Sequence, residues 1–154
     1  MLARRGIWLM LVLALLAIPA AALAATGLPK SGHWKIAGAG AGRGGSFKVS
    51  RNYVSGVTMP GTNCSLATVT VQGRQKLRLI SSAGYSNWVI GTADPSRKNP
   101  NDISGVVGLP VKIRVGGKKM SARLEITFGI LGNKRDNSGD LRVGGCDIPF
   151  NAEP

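Results

Sequence analysis

The run Met120, Ala122, Leu124, Ile126, Phe128, Ile130 alternates without a break with Ser121, Arg123, Glu125, Thr127 and Gly129. A period of two puts one set on each face of a pleated strand. A helix would scatter these apolar side chains around its whole circumference. The segment therefore predicts a long strand with one buried face and one wet face, the mark of an antiparallel sheet.

The residues just before it support this. Val111–Val115 and Lys118–Phe128 flank Gly116-Gly117, and a two-residue hairpin turn needs positive φ, which glycine adopts at no steric cost. The turn sets a register in which Val115 opposes Lys118, Ile113 opposes Met120 and Val111 opposes Ala122. That register puts both apolar sets on one face, whereas a slip of one residue would turn one set outward.

Similar alternation marks Phe47/Val49, Ala67/Val69/Val71 and Leu77/Leu79. Shorter strands are expected near Trp34–Ile36, Tyr53–Met59, Asn87–Ile90, Leu141–Val143 and Asp147–Phe150. No window after the first 24 residues keeps helical spacing over three turns. The expected fold is all-β: an antiparallel β-sandwich of about nine or ten short strands, with the long run from Met120 anchoring one sheet against the other. Gly91–Pro110, rich in Pro, Asn, Asp and Ser, reads as a long surface loop.

The N-terminus is of another kind. Arg4-Arg5 precede an apolar stretch from Ile7 to Ala20, and Ala22-Leu23-Ala24 supplies small residues at the −3 and −1 positions. This is the layout of a cleaved signal peptide over residues 1–24, with the general secretory route favoured over twin-arginine export. A run of about 18 apolar residues could just span a bilayer, but no basic stop-transfer cluster follows, and no cysteine near the junction could be lipidated. The expected product is secreted or held in the cell envelope, with residues 25–154 as one domain and no membrane span after cleavage. A chain of that size can bury a real core.

Cys64 and Cys146 are the two cysteines. An oxidising destination and a single possible intramolecular pairing predict one disulfide. The competing reading, a Cys64 thiolate with His33 as its base, needs a free thiol to survive export.

Charge is distributed unevenly. The full chain carries +13, and losing Arg4 and Arg5 leaves 18 basic residues against 7 acids, or +11. No acid precedes Asp94, so residues 25–93 hold eight cations and no anion. Such a field attracts anionic cell-surface or extracellular polymers. Nothing in it points to sequence-specific nucleic-acid recognition, and nothing fixes an oligomeric state. The candidate anion-binding residues are Arg74, Lys76, Arg78, Lys112, Arg114 and Lys119. In the hairpin register Arg114 opposes Lys119. Either a neighbouring acid such as Glu125 neutralises that pair, or the long side chains diverge into water, or a bound polymer relieves the repulsion.

Several motifs fail on context. Gly40-Ala41-Gly42-Arg43-Gly44-Gly45 matches the dinucleotide fingerprint in letters only, with no strand–helix frame and no acid until Asp94. Asp136-Asn137-Ser138-Gly139-Asp140 lacks the glycine and glutamate of a calcium loop and reads as a tight turn. No cofactor, metal or catalytic residue is expected. A hydrolase stays open because acids that meet only in space are invisible in sequence. Tyr85 and Trp88 are candidates for stacking on sugar faces in a carbohydrate-binding module; Trp88, like Trp34, also suits a core.

Gly32-His33-Trp34, Ser46-Phe47-Lys48-Val49-Ser50, the first cysteine, Ser138-Gly139-Asp140-Leu141, the second cysteine and Phe150-Asn151-Ala152 follow one another along the chain. In this layout it resembles a loose group of small exported bacterial β-sandwich proteins with one disulfide. The resemblance implies the fold and the disulfide, and carries no active site.

Overall fold

The computed structural model describes residues 27–37, 44–82, 85–93, 106–131 and 134–154. The signal-peptide segment, most of the Gly40–Gly45 motif and the centre of the Gly91–Pro110 loop lie outside them. The described residues form β1 (Gly32–Ala37), β2 (Gly45–Ser50), β3 (Tyr53–Gly61), β4 (Leu66–Val71), β5 (Arg74–Lys76), β6 (Arg78–Ser82), β7 (Tyr85–Ile90), β8 (Thr92–Ala93), β9 (Val106–Val107), β10 (Leu109–Val115), β11 (Lys118–Leu131), β12 (Lys134–Val143) and β13 (Cys146–Glu153). Among them there is no α-helix, and so none long and apolar enough to cross a membrane.

The sheet closes on itself. β1 pairs with β2, β2 with β3, β3 with β4, β4 with β10, β10 with β11, β11 with β12, β12 with β13, and β13 again with β1, each pair antiparallel. The expected sandwich is thus corrected to an eight-stranded antiparallel barrel. Alternation shows that a strand has a wet face and a dry face; it does not show whether the first and last strands meet. Here Lys35, Ile36 and Ala37 pair with Glu153, Ala152 and Asn151, which removes both edges.

The short strands fill the same frame. β5 continues β4 along β3, with Tyr53 opposite Lys76 and Ser55 opposite Arg74. β6 pairs with β7, and β7 pairs with the far half of β11. β7 and β10 therefore lie one after the other between the β4–β5–β6 line and β11. Neighbours around the barrel are neighbours in sequence, an up-and-down meander.

Ile90 opposes Ile126 and Leu109 opposes Leu124. In an unbroken ladder the residue two after Ile90 would oppose Leu124. The stretch 92–108, 17 residues, is therefore an excursion inserted into one barrel strand opposite Glu125, and β8 and β9 pair with each other at its base. Its two feet are tight. A Cβ on Gly91 would collide with Val106, and one on Gly108 would sit 3.1 Å from the backbone of Leu124.

Inward-facing side chains fill the barrel. Trp34 from β1 and Phe128 from β11 meet edge-to-face at 5.0 Å between ring centroids, and Phe47 from β2 stacks on Trp34 at 5.9 Å. Val54, Met59, Val69, Ile113, Leu124, Ile126, Leu141 and Ile148 pack around these rings, each essentially inaccessible to solvent. An eight-stranded barrel is just wide enough for such filling. The Gly116-Gly117 hairpin has the expected register and positive φ of 53° and 84°. Met120 departs from the expected burial, at 40 % exposed. β12 begins its pairing with β11 only at Arg123, so Met120 lies beyond the strand that would cover it.

Cys64 and Cys146 are bonded, as expected, across 82 residues of chain. The bond joins the 3₁₀ turn Thr62–Cys64 after β3 to the start of β13, strands separated around the ring by β2 and β1. Asn63 Nδ2 adds a 2.7 Å hydrogen bond to the carbonyl of Asp147. Together they tie down one end of the barrel.

Asp136–Asp140 is not a turn. It lies inside β12, bonded on both sides: Gly139 opposes Ile126 on β11 and Phe150 on β13. A Cβ on Gly139 would overlap the Phe150 ring. The glycine makes room for an aromatic core residue.

Candidate functional site

A meander converts order in sequence into position on the barrel wall, so the uneven charge becomes a sector. The outward residues of β1, β2, β5 and β6 include His33, Lys35, Lys48, Arg74, Lys76 and Arg78, all exposed. Among the described residues the acids Glu125, Asp136, Asp140, Asp147 and Glu153 all belong to β11, β12 and β13. The described residues from β1 through β10 include none.

All six candidate anion-binding residues are exposed on the outward side. Arg114 opposes Thr70 of β4 on one side and Lys119 of β11 on the other. Lys112 accepts a 2.8 Å backbone bond from Gln72 at its carbonyl, and its Nζ donates to Ser121 Oγ at 2.9 Å. Gln72 leads through Gly73 to Arg74, so the β10 cations continue into the row Arg74, Lys76, Arg78 along β5 and β6. Arg78 opposes Val89. No acid faces Arg114 or Lys119 in the ladder: Glu125 is six residues along β11 and opposes Asp140 instead. Arg74 also lies over the Tyr53 ring, 4.5 Å from its centroid, a cation–π contact. Tyr53, Lys48 and His33 join the sector only through strand pairing. Their sole trace in the sequence is their alternation with buried neighbours.

Trp88 opposes Phe128 and packs against the core. Tyr85 stands three residues before it on β7, its backbone opposite Ser82; its side chain lies outside the described residues.

The structure also brings together a group that sequence reading missed. Glu125 opposes Asp140 across β11 and β12, and Arg123 opposes Arg142 one step along. Like charges face across the strands, while opposite charges follow one another along each strand. Burial raises the pKa of both carboxyls, and repulsion from Asp140 adds to that of Glu125. Asp147 repels Asp140, while Arg142 lowers both carboxyls. Arg142 makes a two-pronged ion pair with Asp147 on β13, Nη2 to Oδ2 at 3.0 Å. Its hydrogen bond and charge hold Asp147 below the usual carboxylate range. Arg123 Nη1 donates to the carbonyl of Gly108 at 3.1 Å. Val106, Val107 and Gly108 of the excursion complete a cleft of about 150 Å³ with these four charged residues. No group of three or more metal-ligating side chains occurs among the described residues. Cys64 is in the disulfide and His33 is exposed on the outer wall, so the thiolate reading falls.

Compared with protein-family models, with curated proteins and with solved structures, the chain matches none.

Proposed function

We propose that this is an exported, non-enzymatic binding domain that holds anionic cell-surface or extracellular polymers on its basic wall. The observation that carries this reading is the sector itself. From β1 to β10 the described outward residues offer cations with no acid among them, and the acids collect on β11–β13. An unopposed positive surface concentrates polyanions. The disulfide suits an oxidising destination, and the apolar N-terminal segment supplies the route. The intact mass of the exported product should correspond to a chain beginning at Ala25 or within one residue of it.

Retention on a heparin resin as a function of salt tests the binding. Screening predicts strong retention at low salt that falls steeply towards 1 M, where the Debye length is about 3 Å. No retention at low salt, or retention that ignores salt, would overturn the reading.

A second reading rests on the Glu125–Asp140 pair. Two carboxyls with raised pKa beside an arginine-lined cleft are the kind of constellation that general acid–base hydrolysis uses. A screen against ester, peptide and glycoside substrates, with Glu125→Gln as the control, addresses it. Turnover lost in that variant would favour the hydrolase.

A further inference from the structure

One transverse row of the barrel wall has a composition of its own. Lys35 opposes Ser46, Ser46 opposes Thr58, Thr58 opposes Thr70, Thr70 opposes Arg114, and Arg114 opposes Lys119. The first five each flank residues buried in the interior, and Lys119 shares the face of Arg114 by opposing it directly, so all six side chains are on the outward face. The row crosses six strands, β1 to β4 and then β10 and β11. At about 4.8 Å per strand it is roughly 24 Å long. Its ends are cationic and its middle consists of three hydroxyls. It stops at Glu153 beyond Lys35 and, past Lys119, at a part of β11 that precedes the β12 pairing.

We infer that this row is the seat of the polymer, which lies across the strands, and that the polymer is an anionic polysaccharide. The inference rests on the binding function proposed above and narrows it. A chain of phosphates carries charge at every repeat and no hydroxyl donors. Over Ser46, Thr58 and Thr70 it would find no cation in the row. A polysaccharide bearing carboxylate or sulfate groups offers both what the ends attract and what the middle can bond, because a hydroxyl both donates and accepts. The next row, His33, Lys48, Ser55 and Arg74, repeats cations and a hydroxyl one pleat away, so the mixture of charged and hydroxyl contacts extends beyond a single row.

The test compares variants that remove the same charge, or none. Lys35→Ser/Arg114→Ser removes two of the row's three cations. Lys76→Ser/Arg78→Ser strips two cations from the same wall outside it. Thr58→Val/Thr70→Val deletes only hydroxyls and keeps residues that favour strands. Affinities are measured for a heparin octasaccharide and for linear polyphosphate of matched charge, with circular dichroism confirming that each variant is folded. The row predicts that Thr58→Val/Thr70→Val weakens octasaccharide binding about fivefold or more, in line with losing two hydrogen bonds, and weakens polyphosphate binding less, since phosphate oxygens only accept from these hydroxyls. It also predicts a larger loss from Lys35→Ser/Arg114→Ser than from Lys76→Ser/Arg78→Ser. Equal losses from the two charge variants, with no effect of the valines, would overturn the row and leave the basic wall standing. Polyphosphate binding that is tighter and depends on the row would overturn the polysaccharide. If no variant changes either affinity, the basic wall falls as well.

Discussion

Glu125 and Asp140 oppose each other directly on β11 and β12, both half-buried beside the foot of the excursion at Gly108. Burial raises both carboxyls, and repulsion adds to it, from Asp140 on Glu125 and from Asp147 on Asp140, so the fold prefers them protonated. Their favourable contribution is complete below about pH 4, the ordinary carboxylate range, and disappears as pH rises through the raised values. Glu125→Gln should therefore stabilise the protein at pH 7, by about 0.5 kcal/mol after solvent screening of this half-exposed pair. The gain should vanish at pH 3. Thermal melts at the two pH values check this, and a variant that loses stability equally at both would contradict it.

The excursion is in register with its own removal. Deleting Thr92–Gly108 joins Gly91 to Leu109 and restores one ladder in which Ile90, Gly91 and Leu109 oppose Ile126, Glu125 and Leu124. The variant should keep the far-ultraviolet signature of the sheet, the disulfide and cooperative unfolding. Its melting temperature should fall, since Val106 and Val107 no longer cover the cleft at Glu125. A molten or reduced product would show that the excursion is part of the folding unit.

The disulfide holds two turns that backbone pairing alone leaves three steps apart around the ring. Cys64→Ser/Cys146→Ser should cost on the order of 2–4 kcal/mol, because the bond closes a long loop in the unfolded chain. Far-ultraviolet dichroism at low temperature should not change, since the strand pairings do not depend on the bond. Denaturant titration gives the size of the loss.

What could be read from sequence was whatever a turn and a pattern decided together. The Gly116-Gly117 hairpin shows this: two neighbouring glycines and two alternating flanks specify every pair from Val115–Lys118 to Val111–Ala122. Closure of the barrel depends on β1 meeting β13, far apart in the chain, and no local signal encodes that. The acid pair is hidden for the same reason, since Glu125 and Asp140 meet only once the β11–β12 register is known. Charge asymmetry was visible as a bias along the chain and became a face because the strands follow one another around the barrel.

Asp136–Asp140 misled because its residues favour turns, while its place between two strands prevails. Gly139 is there for Phe150, so Gly139→Val should cost about 1–3 kcal/mol through overpacking, despite valine's better strand propensity. Stability unchanged in urea would mean that the Phe150 ring has room to move.

Arg114 and Lys119 are the sharpest test of what the positive wall is for. They oppose each other directly, and no acid faces either in the ladder. Like charges in that position destabilise a sheet by a few tenths of a kcal/mol up to about 1. Lys112, a third cation, is drawn to Ser121 by its own hydrogen bond and offers the pair no compensating charge. Replacing both residues with threonine should leave the protein equally or more stable, because repulsion is removed and strand propensity gained. If repulsion is tolerated because a bound polymer offsets it, the same variant must elute earlier from heparin. Greater stability with unchanged elution would assign the pair to solubility alone, and lower stability would mean that the long side chains cover the barrel wall beneath them.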